Sequence, residues 1–109
     1  MKKVAIITRC FNRLEYTIRC IRSVHEKSGN FNDYTHFIVD QNSSDGTPQW
    51  LHSIEVEGYY RNLHVIYNKE NSGDAGGIKN VYDILDDSYD YVMQFDSDIE
   101  VIETSYTYI

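Results

Sequence analysis

"YVMQFDSDIE", residues 91–100, decides how this chain is read. Tyr91 to Phe95 form a short aromatic and apolar run of the kind that makes a buried strand. The run ends on two carboxylates one residue apart, Asp96 and Asp98. A carboxylate beside a buried strand is costly unless a cation or a set of hydrogen-bond donors meets it. The residues upstream give this strand its context.

Three similar runs precede it: "KVAIIT" (3–8), "YTHFIVD" (34–40) and "NLHVIY" (62–67), with "DYVMQFD" (90–96) as the fourth. "VAII" and "FIV" are continuously apolar, which suits a sheet covered on both faces. Three helical patterns lie between the strands. In the first, Asn12 as N-cap with Glu15 three residues on forms a capping box. Leu14, Ile18, Ile21 and Val24 make its apolar stripe, and Gly29 is its stop. The second starts at Thr47-Pro48, with Thr47 as cap, and buries Trp50, Leu51 and Ile54. The third starts near Gly73-Asp74 and buries Ile78, Val81 and Leu85. The order β-α-β-α-β-α-β with right-handed crossovers predicts an α/β fold, a Rossmann-like parallel sheet with helices on both faces. Ligands of such sheets bind at the carboxyl ends of the strands.

The chain has 109 residues, 41% hydrophobic and 25% charged, enough for one small soluble domain. No apolar run approaches the roughly 18 residues of a membrane span. Arg9 and Asn12 interrupt the apolar N-terminus too early for a signal peptide, so cytoplasm is the expected location. Cys10 and Cys20 are too few for a disulfide framework and read as reduced thiols. The net charge is −7. Residues 1–30 hold seven of the ten Lys and Arg against two acids, and residues 31–109 hold three against fifteen. An acidic surface excludes non-specific nucleic-acid binding, which needs Lys and Arg on phosphates. It leaves room for a phosphate ligand whose charge a divalent metal meets.

The four predicted strand ends carry "TRCFNR", "DQNSSDGT", "NKENSGDAGG" and "DSD". All are polar and loop-forming, and their convergence says more than any one alone. "DSD" fits a hard cation such as Mg²⁺ or Mn²⁺ that bridges phosphate oxygens, or a plain acidic turn. "NSGDAGG" fits close approach of an anion to a helix N-terminus, or a loop needing positive φ. It lacks the G-x-G-x-x-G spacing of a dinucleotide site. "NSSDGT" makes turns and caps unaided, whereas Asp40, closing an apolar strand, is harder to explain as a turn. The four histidines are scattered and receive no chemical role.

"VAIITRCFNRLEYTIRCIRSV", "FIVDQNSSDGTPQWL", "NSGDAGGIKN" and "YVMQFDSDIE" together resemble the nucleotide-sugar-binding half of family 2 glycosyltransferases. The resemblance runs from Val4 to about Glu100 and implies a GT-A fold with strand order 3-2-1-4. It implies a transferase that moves a sugar, with inversion, from a nucleotide-diphosphate sugar to an acceptor hydroxyl. It places Cys10, Phe11, Asn12 and Arg13 at the nucleotide, and Asp40 at the base. Asn71 and Asp74 fall near the donor, Asp96 on the ribose side, and Asp98, with Asp96, at the Mn²⁺ or Mg²⁺ on the diphosphate. The G-D-A-G-G form is similar to rhamnosyl- and galactofuranosyl-transferase-like members. UDP- or dTDP-sugars are the favoured donors, and a saccharide or lipid-linked acceptor in cell-surface polysaccharide synthesis is implied. A full-length protein would work at the inner membrane face. Arg9 stands where many members have Pro, Cys10 where many have Thr, and Ile99 replaces the third acid of D-x-D-D.

The family's general base comes from a downstream acceptor half. Residues 1–109 are therefore expected to supply the nucleotide-sugar-binding part, with no catalytic base of their own, as a piece of a longer protein. Two rivals remain: a nucleotide-binding or interaction module without chemistry, and a haloacid-dehalogenase-type phosphatase. The latter carries its D-x-D on the first strand with Thr or Val two residues on, where this chain has Glu100.

Overall fold

The computed structural model describes residues 3–27, 33–58, 60, 62–71 and 73–96. Strands β1 (Lys3–Cys10), β2 (Asp33–Asp40), β3 (Leu63–Tyr67) and β4 (Tyr91–Asp96) alternate with helices α1 (Leu14–Lys27), α2 (Thr47–Glu57) and α3 (Gly73–Tyr82). The strands form one sheet in the order β3-β2-β1-β4, with every pairing parallel. This is the expected order, and the expected alternation places every helix.

The two continuously apolar strands lie in the middle of the sheet because both of their faces are covered. Val4 and Ile6 of β1 pack with Cys20 and Val24 of α1 and Met93 of β4. Ile38 of β2 packs on the same side with Ile21, Leu51, Ile54 and Val65. Alternate residues Ala5, Ile7, Phe37 and Val39 meet Val81 of α3 on the other face. Ile6, Ile7, Ile21 and Ile38 are at most 1% exposed. Burial of each such side chain contributes about 1.5–3 kcal/mol.

Polar residues enter the α1 side of this core as a chain. The Thr8 hydroxyl lies 2.8 Å from His36 Nε2, His36 Nδ1 lies 3.2 Å from His25 Nε2, and His25 Nδ1 lies 3.0 Å from the Tyr34 hydroxyl. Two of the histidines that seem scattered in sequence therefore meet, because β2 runs beneath α1. Burial lowers the His25 pKa to about 4. Burial, and then the neighbouring His25, pull that of His36 well below the usual histidine value. Both rings are neutral at pH 7.

The helix starts differ from expectation. Asn12 is not an N-cap: α1 begins at Leu14, and both Asn12 and Arg13 have φ near 57°. The Leu14 N–H donates to Asp45 Oδ2 at 3.0 Å, so the cap comes from the loop after β2. At α2 the cap residue is Gly46, with φ 97°, and Thr47 is already helical. The Asp45 carboxylate accepts from both the N–H and the hydroxyl of Thr47, at 3.1 and 2.6 Å. Asp45 thus serves two helix N-termini, where a negative charge is favourable. Leu51 and Ile54 are buried as expected, with Trp50 packed at the margin. On α3 Val81 is buried, whereas Leu85 lies past the helix end and packs only at the margin. Gly29 lies outside the described residues.

Candidate functional site

Parallel pairing brings all four polar strand ends to one edge. Cys10 stands opposite Asp40, Asp40 opposite Tyr67, and Arg9 opposite Asp96. Phe11, Asn12 and Arg13 follow β1 directly, and Asn71 and Asp74 fall before and within the first turn of α3. The expected donor-site residues Cys10, Phe11, Asn12, Arg13, Asp40, Asn71, Asp74 and Asp96 therefore share this edge. Asp98 lies outside the described residues.

Most of the described side chains among them divide into two kinds. Cys10 and Asp40 face inward, at 2% and 1% exposure. Asp40 Oδ1 accepts from the Ser43 hydroxyl at 2.6 Å, and Oδ2 accepts from the Ser43 N–H at 3.2 Å. The Cys10 thiol donates to Asp40 Oδ1 at 3.7 Å. Burial, with the Asp40 charge and hydrogen bond added, raises the thiol pKa far above its ordinary value and keeps it protonated. Phe11, by contrast, is 49% exposed at the mouth of the edge. Arg13, Asn71 and Asp96 are exposed as well.

Reciprocal hydrogen bonds lock the loops after β1 and β2 together. The Asn12 N–H donates to the Ser43 hydroxyl at 2.7 Å, and the Ser44 N–H donates to Asn12 Oδ1 at 2.8 Å. A left-handed backbone is costly for Arg13, and these bonds hold the loop in it. Asp45 completes the junction. Desolvation opposes its ionisation, but hydrogen bonds from the Thr47 side chain and N–H and from Leu14 outweigh that and lower its pKa.

A second set of bonds seats the loop before α3. Gln41, 4% exposed, donates through Nε2 to the Gly73 carbonyl at 2.7 Å. Its Oε1 accepts from Asn68 Nδ2 at 2.9 Å, and the same amide reaches Asn80 Oδ1 at 2.9 Å. Asn71 Oδ1 accepts from the Gly73 N–H at 2.9 Å. A Cβ at Gly77 would stand 2.6 Å from Gln41 Nε2, so glycine is required for this close approach. The sequence alone assigns no role to Gln41, Ser43, Asp45, Asn68 or Arg9. Their one signal was position, since each lies in or beside a polar strand-end run.

At the fourth strand end, Arg9 Nη2 donates to Asp96 Oδ1 at 2.5 Å. The Arg9 side chain is 15% exposed and that of Asp96 64%. Among the described residues no group of three or more His, Cys, Asp or Glu side chains could enclose a metal. Asp96 offers one accessible carboxylate at the strand end. That donor suits a hard cation that takes most of its ligands from phosphate and water. No helix among the described residues is long and apolar enough to cross a membrane.

The fold recurs in known glycosyltransferases. A mannosyltransferase, PcManGT from Pyrobaculum calidifontis, in complex with GDP-Man and Mn²⁺, superposes with a TM-score of 0.81 at 17% identity, covering 96% of this chain and 30% of that one. S. aureus TarS 1-349 in complex with UDP-GlcNAc gives 0.78 at 20% identity, covering 97% and 29%. A further structure of S. aureus TarS 1-349 gives 0.75 at 23% identity, covering 97% and 30%. This chain thus spans about 30% of the length of these neighbours, which establish the GT-A fold. No curated protein sequence matches it. The family model for glycosyl transferase family 2 matches residues 5–106, nearly the whole sequence, and the chain belongs to that family.

Proposed function

We propose that residues 1–109 form the donor-binding part of an inverting glycosyltransferase that transfers a sugar from a nucleotide-diphosphate sugar to an acceptor hydroxyl. The observation that carries this reading is the meeting of the β1, β2, α3 and β4 ends at one edge, in a chain of family 2. The GDP-Man and UDP-GlcNAc complexes of its structural neighbours support a nucleotide-sugar ligand. In this reading Phe11, Asn12 and Arg13 border the nucleotide, with Cys10 fixing the loop from behind. Asp40 lies on the base side of the site, with Ser43 still bound to it. Asn71 and Asp74 border the donor, and Asp96 faces the ribose.

A divalent cation, Mn²⁺ or Mg²⁺, would be held by Asp98 with Asp96, and when bound would supply charge neutralisation for the departing diphosphate. The Mn²⁺ of the mannosyltransferase complex supports that choice. UDP- or dTDP-sugars are the proposed donors. A saccharide or lipid-linked acceptor and the general base that deprotonates it would come from a part of the protein beyond these residues. Work in the cytoplasm at the inner membrane face, in cell-surface polysaccharide synthesis, completes the reading.

A thermal-shift screen of UDP, dTDP and GDP with Mn²⁺ or with chelator tests it. Stabilisation by at least one diphosphate, larger with Mn²⁺ and reduced by Asp98→Asn, is expected. No shift with any of them would remove the donor-binding role. A parallel transfer assay should find activity in a full-length protein and none in residues 1–109.

A further inference from the structure

Arg9 belongs to the β1 end yet has no part in the reading above. It pairs with Asp96 across the β1–β4 register, but the two partners are held unequally. The arginine side chain is 15% exposed and its acid 64%. The Arg9 stem passes beneath α3 at Gly77, where an added Cβ would stand 3.2 Å from Cγ and 3.5 Å from Cδ. The neighbouring Gln41 amide is itself fixed to Gly73 and Asn68. Packing therefore keeps the guanidinium at this edge whether or not Asp96 is in place. An ion pair whose acid stands mostly in water contributes little stability, so Asp96 exchanges partners at small cost.

The charge balance of the edge gives that arginine a task. Asp40, Asp45 and Asp96 gather there in a chain of net charge −7, and an anionic ligand must be met by a cation. The planar guanidinium presents several N–H donors in a fork that matches phosphate oxygens. We propose that Arg9, held beneath α3 where the exposed Arg13 is not, is a built-in cation of the donor site: it neutralises Asp96 while the site is empty and binds a diphosphate oxygen of the nucleotide when Asp96 turns to a divalent cation. The inference rests on the donor-binding reading, and it makes Asp96 a competitor of the diphosphate whenever metal is absent.

That competition gives the test a change of sign. Titration calorimetry of residues 1–109 with UDP, GDP and dTDP, in chelator and in Mn²⁺, is run on wild type, Arg9→Met, Arg9→Lys and Asp96→Asn. A charge-assisted hydrogen bond to phosphate corresponds to about tenfold or more in affinity, so Arg9→Met should lose that much in both conditions. Arg9→Lys should lose less. Asp96→Asn should bind diphosphate more tightly than wild type in chelator and more weakly in Mn²⁺. A purely structural pair would instead lower the melting temperature and weaken binding in both conditions alike. If Arg9→Met does not fold, the opposite signs for Asp96→Asn still decide the matter. Unchanged affinity in folded Arg9→Met, or weaker chelator binding by Asp96→Asn, overturns the role of Arg9 alone. Failure of wild type to bind any of the three overturns the donor-binding reading and this inference with it.

Discussion

Asp40 and Asp96 end parallel strands on either side of β1, one opposite Cys10 and the other opposite Arg9. Asp40 is 1% exposed and holds Ser43 twice. The Asp96 side chain is 64% exposed and holds one arginine. β2 lies inside the sheet, with β3 and β1 on its flanks and a loop folded over its end, whereas β4 is at the edge. The same residue type thus serves as a loop-building acceptor in one place and as an accessible charge in the other. Burial decides which, because an acceptor out of water must keep its donors and one in water need not.

The contrast can be tested most strongly without mutation, by acid. His36 is fully buried, and His25 packs against it. The folded pKa of His25 is about 4 against an ordinary 6.5, so below pH 6.5 the unfolded chain binds the extra proton and the folded chain does not. Stability should be flat from about pH 6.5 to 8 and fall as pH drops from 6.5 toward 4. His25 alone accounts for on the order of 3 kcal/mol of that fall. Urea unfolding midpoints at pH 7.5 and pH 4.5 check this, and equal midpoints would contradict the buried neutral pair.

Asp40→Ala comes next. It leaves the Ser43 N–H and hydroxyl and the Cys10 thiol without their acceptor, and should cost about 2–3 kcal/mol in urea unfolding. Asp96→Ala, the matching change at the exposed end, should cost under about 1 kcal/mol. Equal losses would erase the difference between the two carboxylates. Between these lies Gly77→Ala. Its methyl would press on the fixed Gln41 amide, and overpacking of this kind costs about 1–3 kcal/mol. A crystal structure of that variant should show Gln41 displaced from Gly73. Asp45→Ala should cost about 2 kcal/mol, about 1 kcal/mol for each of the two helix caps it removes. Hydrogen exchange should show it as faster exchange at the N-termini of both α1 and α2.

Much of this architecture can be read from local sequence. "VAII" and "FIV" announce central strands because only a strand covered on both faces is apolar at every position. The α2 and α3 starts are visible within one residue from Thr47-Pro48 and Gly73-Asp74. The polar runs at the four strand ends locate the site edge, since parallel pairing must bring them together. The cap of α1 is not legible in this way. "NRLE" has the letters of a capping box, but Asn12 and Arg13 take left-handed backbone and the acceptor is Asp45, 31 residues beyond Leu14.

By itself, then, the sequence determined the alternation of strands and helices, the parallel sheet and the edge on which its chemistry gathers. Each of these depends on hydrophobic period and turn residues over a few neighbouring positions. Tertiary structure alone decided the partners. It set Arg9 beside Asp96 across 87 residues, His25 against His36, and Gln41 under the loop before α3. Long-range hydrogen bonds and ion pairs depend on where the strands come to lie side by side and on how much water is left between them. Neither is encoded in the spacing of residues along a single element.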